Sequence, residues 1–359
     1  MRGWGLTSAP WAFFLGRKLD GVLAIEDWRV LNGTVRFRGR LLVAPEVAMA
    51  VLTPRLTPCG YVPMIQRPDE IILVRLPVVR RRAGWWRGWP LNLTLFLLTI
   101  GTTVLVGADF QPTDPARLLS GLSFSASLLL ILGAHELGHY LTARAYGVSV
   151  SLPYFVPLPV WPMGTMGAII RMRSPIPNRK VLFDVGIAGP LLGLVVGIPL
   201  LVLGLLLSPV RPMAGAILQE GNSLFYLLLK WLCKGPIPDG FDVFLHPMAM
   251  AGWLGLFVTA LNLMPLSQLD GGHIAYAVLG RRFPRMVWTF LGVLVLLAAY
   301  SQWLGWLLWV AIAVGLGLRH PPPLDDLTPL DPYRRALAVA ALVLLAILVP
   351  PLPLAVYEF

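Results

Sequence analysis

Residues 121–139 read GLSFSASLLLILGAHELGH, an uncharged apolar run that leads into a His-Glu-x-x-His pattern. On a helix His135 and His139 share one face, so both imidazoles can bind one zinc ion. Glu136 projects at a neighbouring angle, where it can take a proton from a water held by the metal. The competing interpretation is a hydrogen-bonded cluster between helices. Ionisable side chains in a membrane span are costly and usually functional, which favours the metal site.

The composition predicts a membrane protein. Of the 359 residues, 57% are hydrophobic and 13% are charged, and the mean hydropathy is +0.72. Soluble proteins carry roughly 45–50% apolar and about 25% charged residues. The net charge of +11 is therefore interpreted as a membrane-orientation signal, with the lipid bilayer rather than nucleic acid as the partner. The two cysteines, Cys59 and Cys233, are far apart and predict no disulfide framework.

Residues 1–85 are predicted to form a small α+β domain in water, and 86–359 a transmembrane domain. The first domain shows alternating, strand-like segments and one short helical segment. The predicted strands are 34–41, 61–67 and 70–78, and the predicted helix is 45–56. Basic and aromatic residues at 80–82 and 85–87 are typical of a membrane surface and mark the junction. What the first domain recognises is left open.

The transmembrane domain is predicted to be polytopic and α-helical, with about seven spans. A span needs roughly 20 apolar residues. The predicted spans are 91–108, 121–148, 181–207, 247–266, 286–299, 302–318 and 336–352. The fifth and sixth are short and nearly contiguous, so they are either two tilted spans or one bent hairpin. The segment 221–233 predicts an amphipathic helix at the membrane interface.

The distribution of Lys and Arg predicts the orientation. With the N-terminus inside, the inside connections hold fifteen Lys and Arg residues and the outside connections four. This bias places the first domain in the cytoplasm, and we expect a bacterial inner membrane. Fourteen residues precede His135 in its span, a rise of about 21 Å in a core roughly 30 Å thick. The histidines are thus expected about a third of the way in from the cytoplasmic face.

Asp270 is the candidate for a third metal ligand. It ends the fourth predicted span, which also runs from outside to inside, so it arrives on the same side as His135 and His139. Pro265 should break the helix there, and glycines after Asp270 let backbones approach closely. A carboxylate as third ligand leaves one position open for water. The alternative is an ordinary aspartate in a loop at the end of a helix.

These motifs together resemble those of the site-2 proteases, the family of intramembrane zinc metalloproteases. The first family signature is matched by His135, Glu136 and His139. The second, Asn-x-x-Pro-x-x-x-Leu-Asp-Gly, is matched by Asn262, Pro265, Leu269, Asp270 and Gly271. Segments 153–159, 164–167 and 177–190 resemble the branch that includes chloroplast and cyanobacterial-type members. The similarity covers about residues 85–335, and it includes no PDZ-like insertion.

The resemblance implies one zinc ion per chain, held by His135, His139 and Asp270, with Glu136 activating water. It also implies that Asn262 stands near the site and polarises the scissile carbonyl or supports the transition state. His273 is a candidate fourth ligand, but a supporting or surface role is favoured because a closed four-ligand site would be structural. His246 and His320 are predicted to be solvated. Gly189, Gly193 and Gly197 are interpreted as close helix packing alone.

The segment 149–175 is rich in Pro and Gly, apolar and too irregular to cross the bilayer. Irregular backbone is tolerated within the membrane only where protein or a water-filled cavity supplies hydrogen-bond partners for its N–H and C=O groups. The resemblance implies a re-entrant β-hairpin beside the site, where an unwound substrate adds as a strand. An ordinary cytoplasmic loop is the alternative.

The function expected from these residues is hydrolysis of peptide bonds in or near transmembrane segments of single-span membrane proteins, as in regulated intramembrane proteolysis. A zinc transporter or metal sensor would need polar residues along a continuous path, and only one cluster at one depth is found. A non-catalytic membrane scaffold would have no need of Glu136. The client protein, the need for an earlier cut and the oligomeric state are not determined by the sequence.

Overall fold

The computed structural model describes residues 10–31, 33–75, 88–213 and 216–358. The predicted junction at 80–82 and 85–87 and the predicted domain boundary at 85 lie outside the described residues, as does the end of the predicted strand 70–78. The chain forms two compact units. The first comprises Met1–Gly84, Pro175–Leu182 and Pro321–Leu330, and the second comprises the remaining residues.

The first unit is built on a four-stranded antiparallel sheet with two helices. Its elements are α1 (Pro10–Arg17), β1 (Leu23–Leu31), β2 (Thr34–Leu41), α2 (Pro45–Leu56), β3 (Tyr61–Arg67) and β4 (Glu70–Arg75). The strand order is β1-β2-β4-β3. In β2, Val35 and Phe37 are buried while Arg36 and Arg38 are exposed, the alternation expected of a strand with one face on the core. The bounds of β2, α2 and β3 coincide with the predicted segments, whereas α1 and β1 were not predicted.

Two later segments of the chain belong to the first unit. The Ile65 N–H donates to the Leu324 carbonyl at 2.7 Å, and the Asp326 N–H donates to the Ile65 carbonyl at 3.0 Å. Arg179 Nε donates to Asp326 Oδ1 at 2.9 Å. These segments fall within 86–359, the range predicted as the transmembrane domain. Backbone pairing between residues so far apart leaves no signal in the pattern of either segment.

The second unit is mainly helical. Its helices are α3 (Trp89–Gly107), α4 (Pro115–Ala145), α5 (Arg179–Leu207), α6 (Leu224–Lys234), α7 (Pro247–Asn262), α8 (Asp270–Leu279), α9 (Phe283–Ser301), α10 (Gly305–Leu316) and α11 (Pro332–Leu348). The first four residues of α5 belong to the first unit. Three short two-stranded sheets complete the second unit. They pair β5 (Tyr154–Pro157) with β6 (Thr165–Ile169), β7 (Val210–Pro212) with β9 (Phe241–Val243), and β8 (Ala216–Glu220) with β10 (Leu354–Glu358).

Four stretches of the described chain are helical, long and apolar enough to cross a membrane. They are Trp89–Gly107, Pro115–Ala145, Arg179–Leu207 and the nearly continuous α8–α9 stretch Asp270–Ser301. Each of the seven predicted spans falls on a helix, but α7 has 16 residues, α10 has 12 and α11 has 17. The chain is therefore a helical membrane protein. The count of seven spans stays a prediction.

Helix α4 packs closely against three other helices of the second unit. A methyl group added at Gly121 would overlap the Val104 carbonyl of α3, and one at Gly138 would overlap the Ala188 carbonyl of α5. Gly255 of α7 lies so close to Ile131 that an added methyl carbon would stand 2.9 Å from its Cγ2. Small residues at these crossings let the backbones approach. The His-Glu-x-x-His pattern is consequently held at the centre of the helix packing.

Candidate metal centre

Helix α4 buries both histidines and the glutamate between them. The helix starts cleanly because Asp114 accepts from the Ala116 N–H at 3.0 Å and Pro115 takes the first helical position, where its missing N–H costs nothing. His135, Glu136 and His139 are each only 5–6% exposed. Leu137, on the opposite face, is 45% exposed. The pattern therefore points its polar residues into the protein.

Asp270 is brought to the histidines by a tightly folded connection between α7 and α8. Helix α7 ends at Asn262, three residues before Pro265, and Asp270 is the first residue of α8. Methyl groups added at Gly271 and Gly272 would overlap the backbone carbonyls of residues 263 and 267, respectively. Glycine is required at both positions because the loop packs directly on the start of the helix. This explains the Asp-Gly-Gly sequence that follows the proline.

The three predicted ligands converge. His135 Nε2 lies 3.1 Å from Asp270 Oδ2, and His139 Nε2 lies 3.2 Å from Asp270 Oδ1. The two Nε2 atoms are 3.1 Å apart. In the described part of the chain, these residues form the one group of three or more His, Cys, Asp or Glu side chains close enough to hold a metal ion.

The donor atoms of this group fit a zinc ion. His139 Nδ1 lies 2.7 Å from the Val185 carbonyl, which can only accept, so Nδ1 carries the hydrogen and Nε2 of the neutral ring presents a lone pair. That lone pair faces His135 Nε2 and a carboxylate in a buried place, where such groups need a cation or proton between them. Two imidazoles and one carboxylate form a donor set that leaves a fourth tetrahedral position open.

Glu136 and Asn262 border the same group. The Ile170 backbone N–H, just beyond β6, lies beside the Glu136 carboxyl. Asn262 Nδ2 lies 3.4 Å from His135 Nε2. The structure therefore brings together all five residues singled out from the sequence. Sequence reasoning missed the contact between Ile170 and Glu136, for which the chain carries no recognisable signal.

Gly189 contributes more than helix packing. A methyl group at Gly189 would overlap His139 Nε2, the ring nitrogen that faces Asp270. At Gly193 an added carbon would stand 3.3 Å from His135 Cβ, whereas at Gly197 it would meet only Ile131, at 3.6 Å. The spacing of these glycines was visible in the sequence and was attributed to packing alone. Two of the three lie directly against the histidines.

Asp184, near the start of α5, is held by contacts from two other segments of the second unit. Arg334 of α11 binds its carboxylate with two nitrogens, Nε to Oδ1 at 2.8 Å and Nη2 to Oδ2 at 2.6 Å. The Tyr146 hydroxyl, just after α4, donates to the same carboxylate at 2.5 Å. This hydrogen bond raises the pKa of the Tyr146 hydroxyl. Val185 follows Asp184 in the chain. The contacts of Asp184 therefore connect the end of α4 to the Val185 carbonyl, which orients the His139 ring.

The remaining histidines of the second unit lie outside the group of three ligands. His273 Nδ1 is 2.6 Å from His320 Nε2. The prediction that His320 is solvated is wrong, since it is 8% exposed and stacks on Tyr276 with ring centroids 4.5 Å apart. A ring contact of this kind, between residues distant in sequence, cannot be inferred from the Pro-rich loop around His320. His246 accepts from the Met248 N–H at 3.2 Å and caps α7.

A bundle of apolar helices around two histidines, a glutamate and an aspartate defines a membrane protein with a metallopeptidase-type centre. Residues 123–299 match the family model described as Peptidase family M50. The chain is 33% identical over 294 residues to "Probable zinc metalloprotease EGY1, chloroplastic" of Arabidopsis thaliana, covering 72% of this chain and 52% of that protein. It is 31% identical over 270 residues to "Probable zinc metalloprotease EGY2, chloroplastic" of the same plant, covering 73% and 48%.

The chain belongs to peptidase family M50, the site-2 protease family, and to its branch of chloroplast-type relatives. It spans about half the length of the relatives that it matches. No solved structure matches the chain significantly.

Proposed function

We propose that the protein is an intramembrane zinc metalloprotease that hydrolyses peptide bonds in or near transmembrane segments of membrane-protein substrates. The convergence of His135, His139 and Asp270 beside Glu136, on helices apolar enough to cross a membrane, carries this proposal. Family membership supports it, and so do the names of the relatives, which describe zinc metalloproteases. His135, His139 and Asp270 are the proposed metal ligands.

A zinc ion bound by these residues would lower the pKa of a water molecule towards about 7 and polarise the scissile carbonyl. Glu136 is the proposed general base. It adjoins His135 in the same helix turn, so its carboxylate can take the proton of the attacking water and return it to the leaving amine. The Ile170 N–H lies beside this carboxyl. Its burial keeps bulk water from competing for the proton.

Asn262 is proposed to stabilise the charge that develops on the scissile carbonyl oxygen. Its Nδ2 lies 3.4 Å from His135 Nε2, so its N–H groups are available at the edge of the metal centre. A preorganised donor in a water-poor site stabilises an oxyanion much more than it stabilises the neutral carbonyl.

The hairpin of β5 and β6 is the proposed binding site for the substrate backbone. Met166 and Ile169 of β6 are exposed, and the chain just beyond β6 reaches Glu136. An extended peptide can pair with a strand edge, which gives it backbone hydrogen bonds that a helix would otherwise supply. The client segment must therefore unwind before cleavage. A single-span client is the simplest substrate, and the hairpin is proposed to be re-entrant in the membrane.

The orientation is also proposed. The excess of Lys and Arg in the predicted inside connections, fifteen against four, supports a cytoplasmic N-terminus. The relatives carry chloroplast names, and we propose a bacterial inner membrane for this chain. Cysteines introduced at Lys18 and at Lys234, in a variant whose native Cys59 and Cys233 are replaced by serine, would decide the orientation. In sealed spheroplasts, reagents that cannot cross the membrane should label only the second position.

Proteoliposomes that contain a single-span model substrate test the activity. The wild-type protein should cleave the substrate, and Glu136→Gln should abolish cleavage while keeping the metal ligands and one zinc per chain. Undiminished cleavage by the variant would overturn the mechanism. Zinc uptake into the same sealed vesicles tests the transporter alternative. The structure disfavours transport, since the described residues offer one metal-binding group rather than a succession of them.

A further inference from the structure

The hairpin of β5 and β6 is fastened to α3 at three places. Asn92, near the start of α3, donates from Nδ2 to the Pro153 carbonyl at 2.7 Å and to the Leu152 carbonyl at 3.2 Å. The rings of Phe96 and Phe155 lie with centroids 4.9 Å apart. Gly164, at a φ of 73°, packs against α3 so closely that an added Cβ would stand 2.7 Å from Thr103 Cα. The side of the hairpin next to α3 is therefore fixed along the helix.

The strand register places the Asn92 contact directly opposite Ile170. Tyr154 of β5 pairs with Ile169 of β6 in antiparallel order, and Val150 pairs with Met172. The register shifts by one residue between these two pairs, so Leu152 and Pro153 both lie opposite Ile170. Pairing continues beyond the strands, because the Ser151 N–H donates to the Arg171 carbonyl at 2.9 Å. The segment held by Asn92 is thus the immediate partner of the segment that contacts Glu136.

The chemistry of this contact favours an amide at position 92. Asn92 is only 8% exposed, and the carbonyls that it binds belong to an irregular segment packed against an apolar helix. Backbone carbonyls at membrane depth have no water to pair with and need a protein donor. Leucine has a similar size but would leave both carbonyls without this donor. The amide therefore supplies the hydrogen bonds that the two carbonyls need, and it also sets the position of the segment.

We propose that Asn92 is a positioning residue for catalysis: it holds the 152–153 backbone, and through it the facing Ile170 backbone, which lies beside the Glu136 carboxyl. This inference rests on the proposed protease function. Displacing a catalytic group by about 1 Å can cost on the order of 100-fold in rate. A change at Asn92 acts through two hydrogen bonds and one strand pairing, with no contact to the metal ligands.

Full-length Asn92→Leu in proteoliposomes tests the proposal. Zinc content should stay at one per chain, while kcat for a single-span model substrate should fall by about 10–100-fold. The matched control is Thr94→Val, an exposed position on the same helix, which should leave kcat unchanged. A double variant with Ile170→Pro, which removes the N–H, should be no slower than Ile170→Pro alone. Independent, multiplicative losses in the two variants would overturn the proposal.

Hydrogen exchange gives a second measurement that needs no activity. In Asn92→Leu, backbone amides of 165–171 should exchange at least about 10-fold faster, while those of α4 are unchanged; this holds even if Ile170→Pro fails to fold. Unaltered exchange at 165–171, or a lower unfolding temperature with kcat intact, would show that Asn92 serves stability alone. If the wild-type protein cleaves nothing, the proposed function fails, and the exchange result still decides whether Asn92 positions the hairpin.

Discussion

Two buried polar clusters of the second unit differ in how their charges are balanced. The lysine cluster consists of Lys230 and Tyr226 on α6, Glu220 at the end of β8 and Asp242 on β9. Lys230 Nζ lies 3.1 Å from Glu220 and 3.2 Å from Asp242. The Tyr226 hydroxyl donates to Glu220 at 2.7 Å. Burial and the Glu220 carboxylate raise the pKa of Tyr226, so it stays a donor. This cluster contains its own cation.

The histidine–aspartate cluster, formed by His135, His139 and Asp270, has a different balance. The ion pairs recorded for Asp270 in the described chain are both with histidines, and the ring nitrogens face each other. Its acceptors converge on one point, whereas those of the lysine cluster surround an ammonium group. Burial alone therefore does not mark a functional site. The informative feature is a set of buried acceptors that a bound cation would complete.

Removing the carboxylate of the histidine–aspartate cluster should have the largest effect on cleavage and on zinc content. Asp270→Ala should lower cleavage by at least about 10³-fold, because two imidazoles alone bind zinc weakly and leave it misplaced. Zinc per folded chain, measured by mass spectrometry, should fall well below one. The control is Asp239→Ala, an exposed aspartate, which should retain both zinc and activity. Full zinc occupancy in Asp270→Ala would remove Asp270 from the ligand set.

The lysine cluster should respond in stability rather than in metal binding. Lys230→Met leaves Glu220 and Asp242 buried without their cation, which should cost about 3–5 kcal/mol of unfolding free energy. Zinc per folded chain and kcat of the folded fraction should not change. Lys234→Met on the same helix is the control. In the described part of the chain, the hydrogen bond recorded for Lys234 Nζ goes to the Leu206 carbonyl, and the substitution should cost less than about 1 kcal/mol. Loss of zinc in Lys230→Met would contradict the prediction that the lysine cluster affects stability and not metal binding.

A smaller effect, on zinc affinity, should follow from a substitution in α5, which lines the histidine–aspartate cluster. Gly189→Ala places a methyl group on His139 Nε2, so the ring must turn and zinc affinity should fall by about 10–100-fold. Gly197→Ala, eight residues on, meets only ordinary contacts and should bind zinc normally. Competition with a fluorescent chelator measures both affinities. Equal affinities would mean that the glycines serve helix packing alone, as the sequence pattern first indicated.

Much of the site could be predicted because its motifs are local. The four-residue spacing of His135 and His139 and the Asn-x-x-Pro-x-x-x-Leu-Asp-Gly run each belong to one short stretch of chain. The charge distribution then placed Asp270 on the same side as the histidines. The extent of the first unit could not be predicted from the sequence, because residues 321–330 join it through backbone hydrogen bonds to β3, and residues 175–182 pair with 321–330. Such pairing leaves no periodicity in either segment.

The sequence by itself predicted the membrane class, the helix that carries His135, Glu136 and His139, and Asp270 as the candidate third ligand. The first two follow from composition and periodicity, which depend on the residues of a single element, and the third follows from the order of the spans and from the resemblance of its motif to the family signature. Only the tertiary structure decided that Gly189 lies against His139, that Arg334 and Tyr146 share Asp184, and that Asn92 holds the strand opposite Ile170. Each is a contact between elements that are distant in the chain. Tertiary packing decides which residues meet, and the residue pattern of neither element indicates the contact.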